Sequence, residues 1–480
     1  MRSAPNFTFF PAVPSRISVF VVFFLSLALS LSILSSISKI ISPSLSSAPH
    51  SSSRQLKVFL ADIPRFLNYG LLDQYWSPTT PPDVRIPSDP DHGPSAPNHH
   101  HNPIPPYPEN PVIKQYSAEY WLTGDLLNSE DKRSNSFAKK VNNPHEADII
   151  FVPFFAALSA EMELAKGRGT FRKKEGNDDY KRQKQMVDII LNSDPWKRSG
   201  GRDHVFVLTD PMAMWHVRGE ICSAIFLVVD FGGWYKIDSK SIQNPSSSSS
   251  SSTIHHNQVS ILKDVIVPYT HLLPKLSLSD DNKRPTLLYF KGAKHRQRGG
   301  HVREQMWDML VNEPRVVMEE GFPNATGREQ SIKGMRASEF CLHPAGDTPT
   351  ACRLFDAIQS LCIPVIVSDS VELPFEGVLD YTGFSVFVGV EDALKAGYLV
   401  GRLRSVTEDE RAAYRRRMAE VQEMFEYENG YLGGIGPVMV NGAVNNIWKK
   451  ISEKVPLIRE AVARAKRMVN ASVPLRCKCV

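Results

Sequence analysis

An α/β architecture, two parallel-sheet halves behind an amino-terminal membrane helix, is the fold this sequence predicts, and three observations predict it. Short apolar runs alternate with helix-forming stretches from Leu56 onward, the pattern of strands and helices wound on one sheet. The alternation breaks at the serine tract 246–252 and restarts at Thr286, as a second half would. Ahead of both, residues 17–38 carry no charge, and at ~1.5 Å per residue they can cross a hydrocarbon core of roughly 30 Å.

Length and composition agree. At about 100 to 200 residues per domain, a chain of 480 residues suggests two domains with appendages. With 42% hydrophobic and 22% charged residues it folds, and a net charge of +5 is too small to argue for nucleic acid. The expected order is a cytosolic tail (1–16), a transmembrane signal anchor (17–38), a Ser/Pro-rich stem (39–54), an acceptor half (55–270), a donor half (271–405), and closing helices with a tail (406–480). Arg2 and Arg16 precede the apolar run and no acidic residue occurs before Asp62, which favours a cytosolic amino terminus. A cleaved signal with small residues at 46–48 is the rival reading; both put the body in a lumen. Sequons at Asn324 and Asn470 fit that exposure. Six cysteines allow one or two bridges of open pairing. Cys477 and Cys479 lack the second pair of a metal site, and His99 to His101 read as a solvated loop.

Taken in order, residues 56–61 and 147–155 read as strands, the second broken by Pro153 as it leaves a sheet. Residues 117–128 and 178–191 have helical spacing, and 204–209 is strand-like after Gly200 and Gly201. In the second half 286–290, 340–342 and 364–368 read as strands, and 302–311, 331–337 and 353–361 as helices. Residues 408–425 and 443–468 read as amphipathic helices packing back across the first half.

Two constellations carry chemistry. The first runs from the strand at 286–290 into a glycine-rich basic loop with Gly292, Arg296 and Arg303. Glycine lets the backbone approach a ligand, a helix start offers free amides, and guanidinium grips phosphate bidentately. The second is FCLHPAGDTPTACRLFDAI, where Thr348 or Thr350 is expected to cap the helix and offer a hydroxyl to phosphate. Arg353 falls in the first turn; Asp356, three residues on, shares its face and is suited to ribose hydroxyls.

Phe340 to Ala345, GDTPT, RLFDAI, CIPVIVSD, ELPFEG and LDYTGFSVFV, in this order and spacing, resemble the exostosin domain of glycosyltransferase family 47 in a plant arabinosyltransferase-like branch. The segment GRDHVFVLTDPMAMWHVRG adds to the resemblance. It implies a GT-B fold of two Rossmann-like domains facing a cleft, and an inverting mechanism. It also implies a nucleotide-sugar donor, a UDP-sugar, and a single-pass type II protein of the Golgi membrane. By the same resemblance Gly292, Arg296 and Arg303 contact the diphosphate, Thr348, Thr350 and Arg353 lie beside it, and Asp356 holds the ribose. Two positions depart from the pattern: Ala351 stands where serine is common, and Leu361 where glycine is usual.

Single displacement needs a base on the acceptor and a cationic grip on the leaving diphosphate. Asp210, at the end of the strand at 204–209, is the expected base, with His216 second. No DxD-type pair sits in the donor half, so no metal and no cofactor are expected. The reading is transfer of a sugar, arabinose among the candidates, to a cell-wall polysaccharide such as pectic arabinan or hemicellulose. The alternative is a catalytically inactive partner, homo- or hetero-oligomeric, in a Golgi synthase complex.

Overall fold

The computed structural model describes residues 55–77, 104–230, 261–281, 283–295, 300–321, 325–346, 348–428 and 436–467. The expected anchor, stem and serine tract, the histidine run, Arg296, Asn324, Asn470, Cys477 and Cys479 lie outside them. No helix among the described residues is long and apolar enough to cross a membrane.

The body from Gln55 onward is one compact unit built on two wholly parallel sheets. The first contains β1 (Leu56–Leu60), β2 (Ala138–Val141), β3 (Ile149–Phe151), β4 (His204–Val207), β5 (Ile225–Val228) and β6 (Val265–Ile266), ordered β2-β1-β3-β4-β5-β6. The second contains β7 (Thr286–Lys291), β8 (Val316–Glu319), β9 (Ser338–Pro344), β10 (Ile363–Val367) and β11 (Val386–Val388), ordered β11-β10-β9-β7-β8. Strands β3, β4, β5 and β10 are buried along their length. That is why they read as unbroken apolar runs rather than alternating ones.

Eight helices matter for the site: α1 (Ala118–Leu127), α2 (Ala156–Leu164), α3 (Asp178–Asn192), α4 (Gly300–Leu310), α5 (Ala325–Arg336), α6 (Cys352–Gln359), α7 (Glu408–Val421) and α8 (Ala443–Arg467). The last of these crosses back over the first sheet, as expected of the closing helices, whereas α7 instead packs on α6 and β10 of the second half. Trp448, fully buried, lies edge-on to Phe151 of β3 at 5.5 Å and donates its indole N–H to Asp125 of α1 at 2.8 Å. Asn445 accepts the Phe137 amide at 2.8 Å.

The link between the sheets is clamped from both sides. Gln422 donates to the carbonyls of Leu276, Ile358 and Gln359, Gln359 donates back to Gln422, and the Tyr427 hydroxyl donates to Pro268. The open question of cysteine pairing resolves into a Cys341–Cys362 disulfide joining β9 to the start of β10. Cys222 and Cys352 are free thiols.

Candidate functional site

The carboxyl ends of β7 and β9 and the amino end of α6 build a cationic cradle. Arg303 of α4 and Arg353 of α6 flank one aromatic ring, their guanidinium carbons 5.3 and 4.9 Å from the Phe290 centroid. Carbonyls fix both: Arg303 donates to Ala293 (3.1 Å) and Pro344 (3.3 Å), and Arg353 donates to Lys291 (3.3 Å). Two glycines permit this closeness. A Cβ on Gly346 would fall 2.6 Å from Arg303 Nη2, and one on Gly292 would fall 3.2 Å from Arg353 Nη1. Lys291 is neutralised by Glu319 at 3.2 Å, so the arginines carry the field.

His343, which the sequence reading passed over, is 3% exposed and neither ring nitrogen has a hydrogen-bond partner. Burial and then the charges of Arg353 and Arg303 push it down to about 3, so the ring stays neutral. Its only early signal was one polar residue in the apolar strand FCLHP.

Neither threonine caps α6. Ala351 is the capping residue and supplies no side-chain bond, and the Leu354 amide donates to its carbonyl at 3.1 Å, so no capping side chain stands at a helix amino end of the kind that receives anions. Thr350 instead crosses to the first sheet, donating its hydroxyl to Asp230 at 2.7 Å just beyond β5, with its amide on the same oxygen at 3.2 Å. Thr348 donates to the Thr350 carbonyl at 2.9 Å. The cap fails because the threonines are committed to the turn and to the opposite sheet.

Asp356 is 5% exposed. Its Oδ1 accepts the amides of Leu272 and Leu273 at 2.6 and 3.0 Å, tying α6 to the inter-sheet link. Burial raises its pKa; the two amides and His271 pull it down. At the other end of α6, Leu361 has φ +52° while fully buried, a left-handed position that glycine adopts without strain.

On the first sheet Asp210 follows β4 and is 2% exposed. Its Oδ1 accepts the Met212 amide at 2.6 Å, forming the turn before the helical stretch. Oδ2 is buried without a hydrogen-bond partner, and the carboxyl of Glu161 on α2 lies near enough to feel its charge. Burial raises both, and the charge of Asp210 raises Glu161 further. Helix α2 is fixed by Glu119 of α1, whose carboxyl accepts the amides of Ala157 (2.8 Å) and Leu158 (3.0 Å). His216 is held elsewhere: Nε2 lies 2.9 Å from the Phe171 carbonyl and the ring stands edge-on to Tyr180.

Tyr116 and Tyr269 link these two regions. Their rings are 5.7 Å apart, and the Tyr269 ring lies 6.2 Å from Phe355 of α6. The Tyr116 hydroxyl is raised by burial and then by Asp210, with Glu161 and Cys352 also acting on it. Among the described residues no group of His, Cys, Asp and Glu is placed to hold a metal ion.

An anion cradle at the carboxyl ends of one parallel sheet, with a buried carboxyl, Asp210, at the carboxyl end of the other, suits an enzyme that transfers a group from an anionic donor. A profile of the exostosin GT47 domain matches residues 52–403, and the chain belongs to that family and is a glycosyltransferase. It is 37% identical over 372 residues to probable arabinosyltransferase ARAD1 of Arabidopsis thaliana, covering 76% of this chain and 75% of that protein. It is 27% identical to xyloglucan-specific galacturonosyltransferase 1 of the same plant, covering 57% of this chain and 40% of that one. A solved structure of TarM aligns at a TM-score of 0.28 and 8% identity, over 56% of this chain and 52% of that one.

Proposed function

We infer that the protein is an inverting, metal-independent glycosyltransferase of GT-B type that moves a sugar from a UDP-sugar to a cell-wall polysaccharide. Arabinose is the sugar favoured by the relative at 37% identity, and pectic arabinan is the acceptor proposed with it. The observation that carries the reading is the cradle. Two arginines converge beside the uncapped amino end of α6, around a buried imidazole with both nitrogens unoccupied. A diphosphate is the anion that such a cradle suits, and the guanidinium charges take the negative charge that develops on the leaving group without a cation. In this reading Gly292, Arg303 and Arg353 hold the diphosphate. Thr348 and Thr350 line its edge, and opening of the Thr350–Asp230 contact frees a hydroxyl for it. Asp210, across the cleft, is the destination of the acceptor proton. The body is expected in the Golgi lumen behind a type II anchor.

Titration of the full-length protein with UDP, and turnover of UDP-sugars on pectic and hemicellulosic oligosaccharides with and without EDTA, tests this. Arg353→Ala is expected to weaken UDP by about 10- to 100-fold, the size of a lost charge-assisted hydrogen bond. Unchanged UDP affinity in that variant, or activity abolished by EDTA and restored by manganese, refutes the cradle. UDP binding without turnover of any sugar indicates an inactive partner in a synthase complex.

A further inference from the structure

We propose that His343 is a donor-binding residue whose imidazole gives a ring N–H hydrogen bond to a diphosphate oxygen of the nucleotide sugar. This rests on the glycosyltransferase reading above and deepens it with a residue to which neither the motifs nor their spacing gave a role.

Main-chain geometry places the ring between the two arginines of the cradle. His343 is the last residue but one of β9, the central strand of the second sheet, and pairs with Ile366 of β10. On the other side Tyr289 of β7 pairs with Cys341, so two residues further on Lys291 lies beside His343. The arginines bracket this point through carbonyls. Arg303 donates to Pro344, the next residue, at 3.3 Å, and Arg353 donates to Lys291 at 3.3 Å. Helix α6 gives the same placement independently. Ala357 belongs to one buried cluster with Cys341, and Arg353 is one turn earlier on the same helix face. Because α6 starts at the carboxyl end of β9, that turn stands over the strand position two residues beyond Cys341, which is His343. Carboxyl ends of strands are where open α/β sheets receive ligands.

The ring is 3% exposed, and neither nitrogen has a hydrogen-bond partner among the described residues. Buried polar groups in folded proteins are nearly always matched, and one left unmatched costs stability. The nearby carbonyls of Pro344 and Lys291 already receive the arginines. Burial, then the charges of Arg353 and Arg303, keeps the ring neutral, so it carries one N–H that needs an acceptor. A site flanked by two guanidinium groups at a helix amino end selects an acceptor that is an anion. A diphosphate presents several oxygens at once, so the guanidinium groups and the ring N–H are met together.

The test is made on the full-length protein with UDP as the probe, titrated by calorimetry beside melting temperature. His343→Leu removes both ring nitrogens and leaves an apolar side chain in the buried slot. It is expected to weaken UDP by about 10- to 100-fold, the worth of a hydrogen bond to a charged group. Its melting temperature should stay the same or rise, because an unmatched polar group has left the interior. His343→Gln keeps an N–H donor and should lose less affinity than His343→Leu. Nitrogen NMR of the histidine-labelled wild type needs no variant: UDP should shift the ring N–H of a histidine that stays neutral in acid. The proposal is overturned if His343→Leu binds UDP as the wild type does, or if affinity is lost only in step with melting temperature. It is equally overturned if the two variants lose affinity equally, since ring volume would then be the cause, or if UDP moves no such ring signal. A wild type that binds no UDP refutes the donor reading and this contact together, whereas the other outcomes, in a wild type that binds it, refute the contact alone.

Discussion

Replacing Asp356 discriminates most sharply between a binding and a structural role on α6. In Asp356→Ala the amides of Leu272 and Leu273 lose their only side-chain acceptor, 2.6 and 3.0 Å away. Leu273 is 2% exposed, so water does not replace it. An unsatisfied buried amide costs about 1–3 kcal/mol, and with one of the two only partly buried the expected loss is about 2–4 kcal/mol. Asp356→Asn is a different case. Its carbonyl oxygen still accepts both amides, and it avoids the burial of charge that raises the native carboxyl, so its expected cost is about 1 kcal/mol or less. If the carboxylate serves the fold, Asp356→Asn binds UDP as the wild type does while Asp356→Ala is destabilised. Urea denaturation and UDP titration of both variants measure this. The reasoning is refuted if Asp356→Asn keeps wild-type stability yet loses tenfold or more in UDP affinity, the result that a ribose contact requires.

Removing both Cys341 and Cys362 by alanine is expected to cost about 2–4 kcal/mol through the freed loop; reductant should then lower the melting temperature of the wild type but not of the variant. His271, whose Nε2 lies 2.9 Å from Glu426, would be lowered by burial alone, but Glu426 and Asp356 raise it above its ordinary value. Its contribution to stability is therefore full below about pH 6.5, the unfolded value, and is lost as pH rises through the folded one. Glu426 is lowered, despite burial, by His271, so its share is present above the unfolded carboxylate value and lost in acid. His271→Gln should flatten the alkaline limb of melting temperature against pH; an unchanged limb disproves the pairing. Leu361→Gly relieves about 1–2 kcal/mol of left-handed strain but removes a buried side chain worth about 2–5 kcal/mol. A net loss is expected, and a variant more stable than wild type would show the strain to be the larger effect.

The sequence by itself determined the α/β class, the interior strands β1, β3, β4, β7, β9 and β10, and helices α1, α3, α4, α6, α7 and α8, because burial on one or both faces writes a local apolar period. It also determined the family and the loops that form the cradle, through residues close together in the chain. Four of the five strands it missed, β2, β6, β8 and β11, are the edges of the two sheets. Edge strands are short and partly solvated, as AKKV and VVME show, so their pattern is weak. The fifth, β5, is a four-residue strand inside the apolar run 224–229, which follows an irregular turn. Only the tertiary structure decided which cysteines pair, that Thr350 reaches Asp230 rather than capping α6, and that Asp356 ties down the inter-sheet link. It alone brought Glu161 near Asp210 and left His343 unpartnered between two arginines. Each of these depends on groups tens to hundreds of residues apart, and their distance and burial are set by how the helices settle on the sheets, which no local pattern encodes.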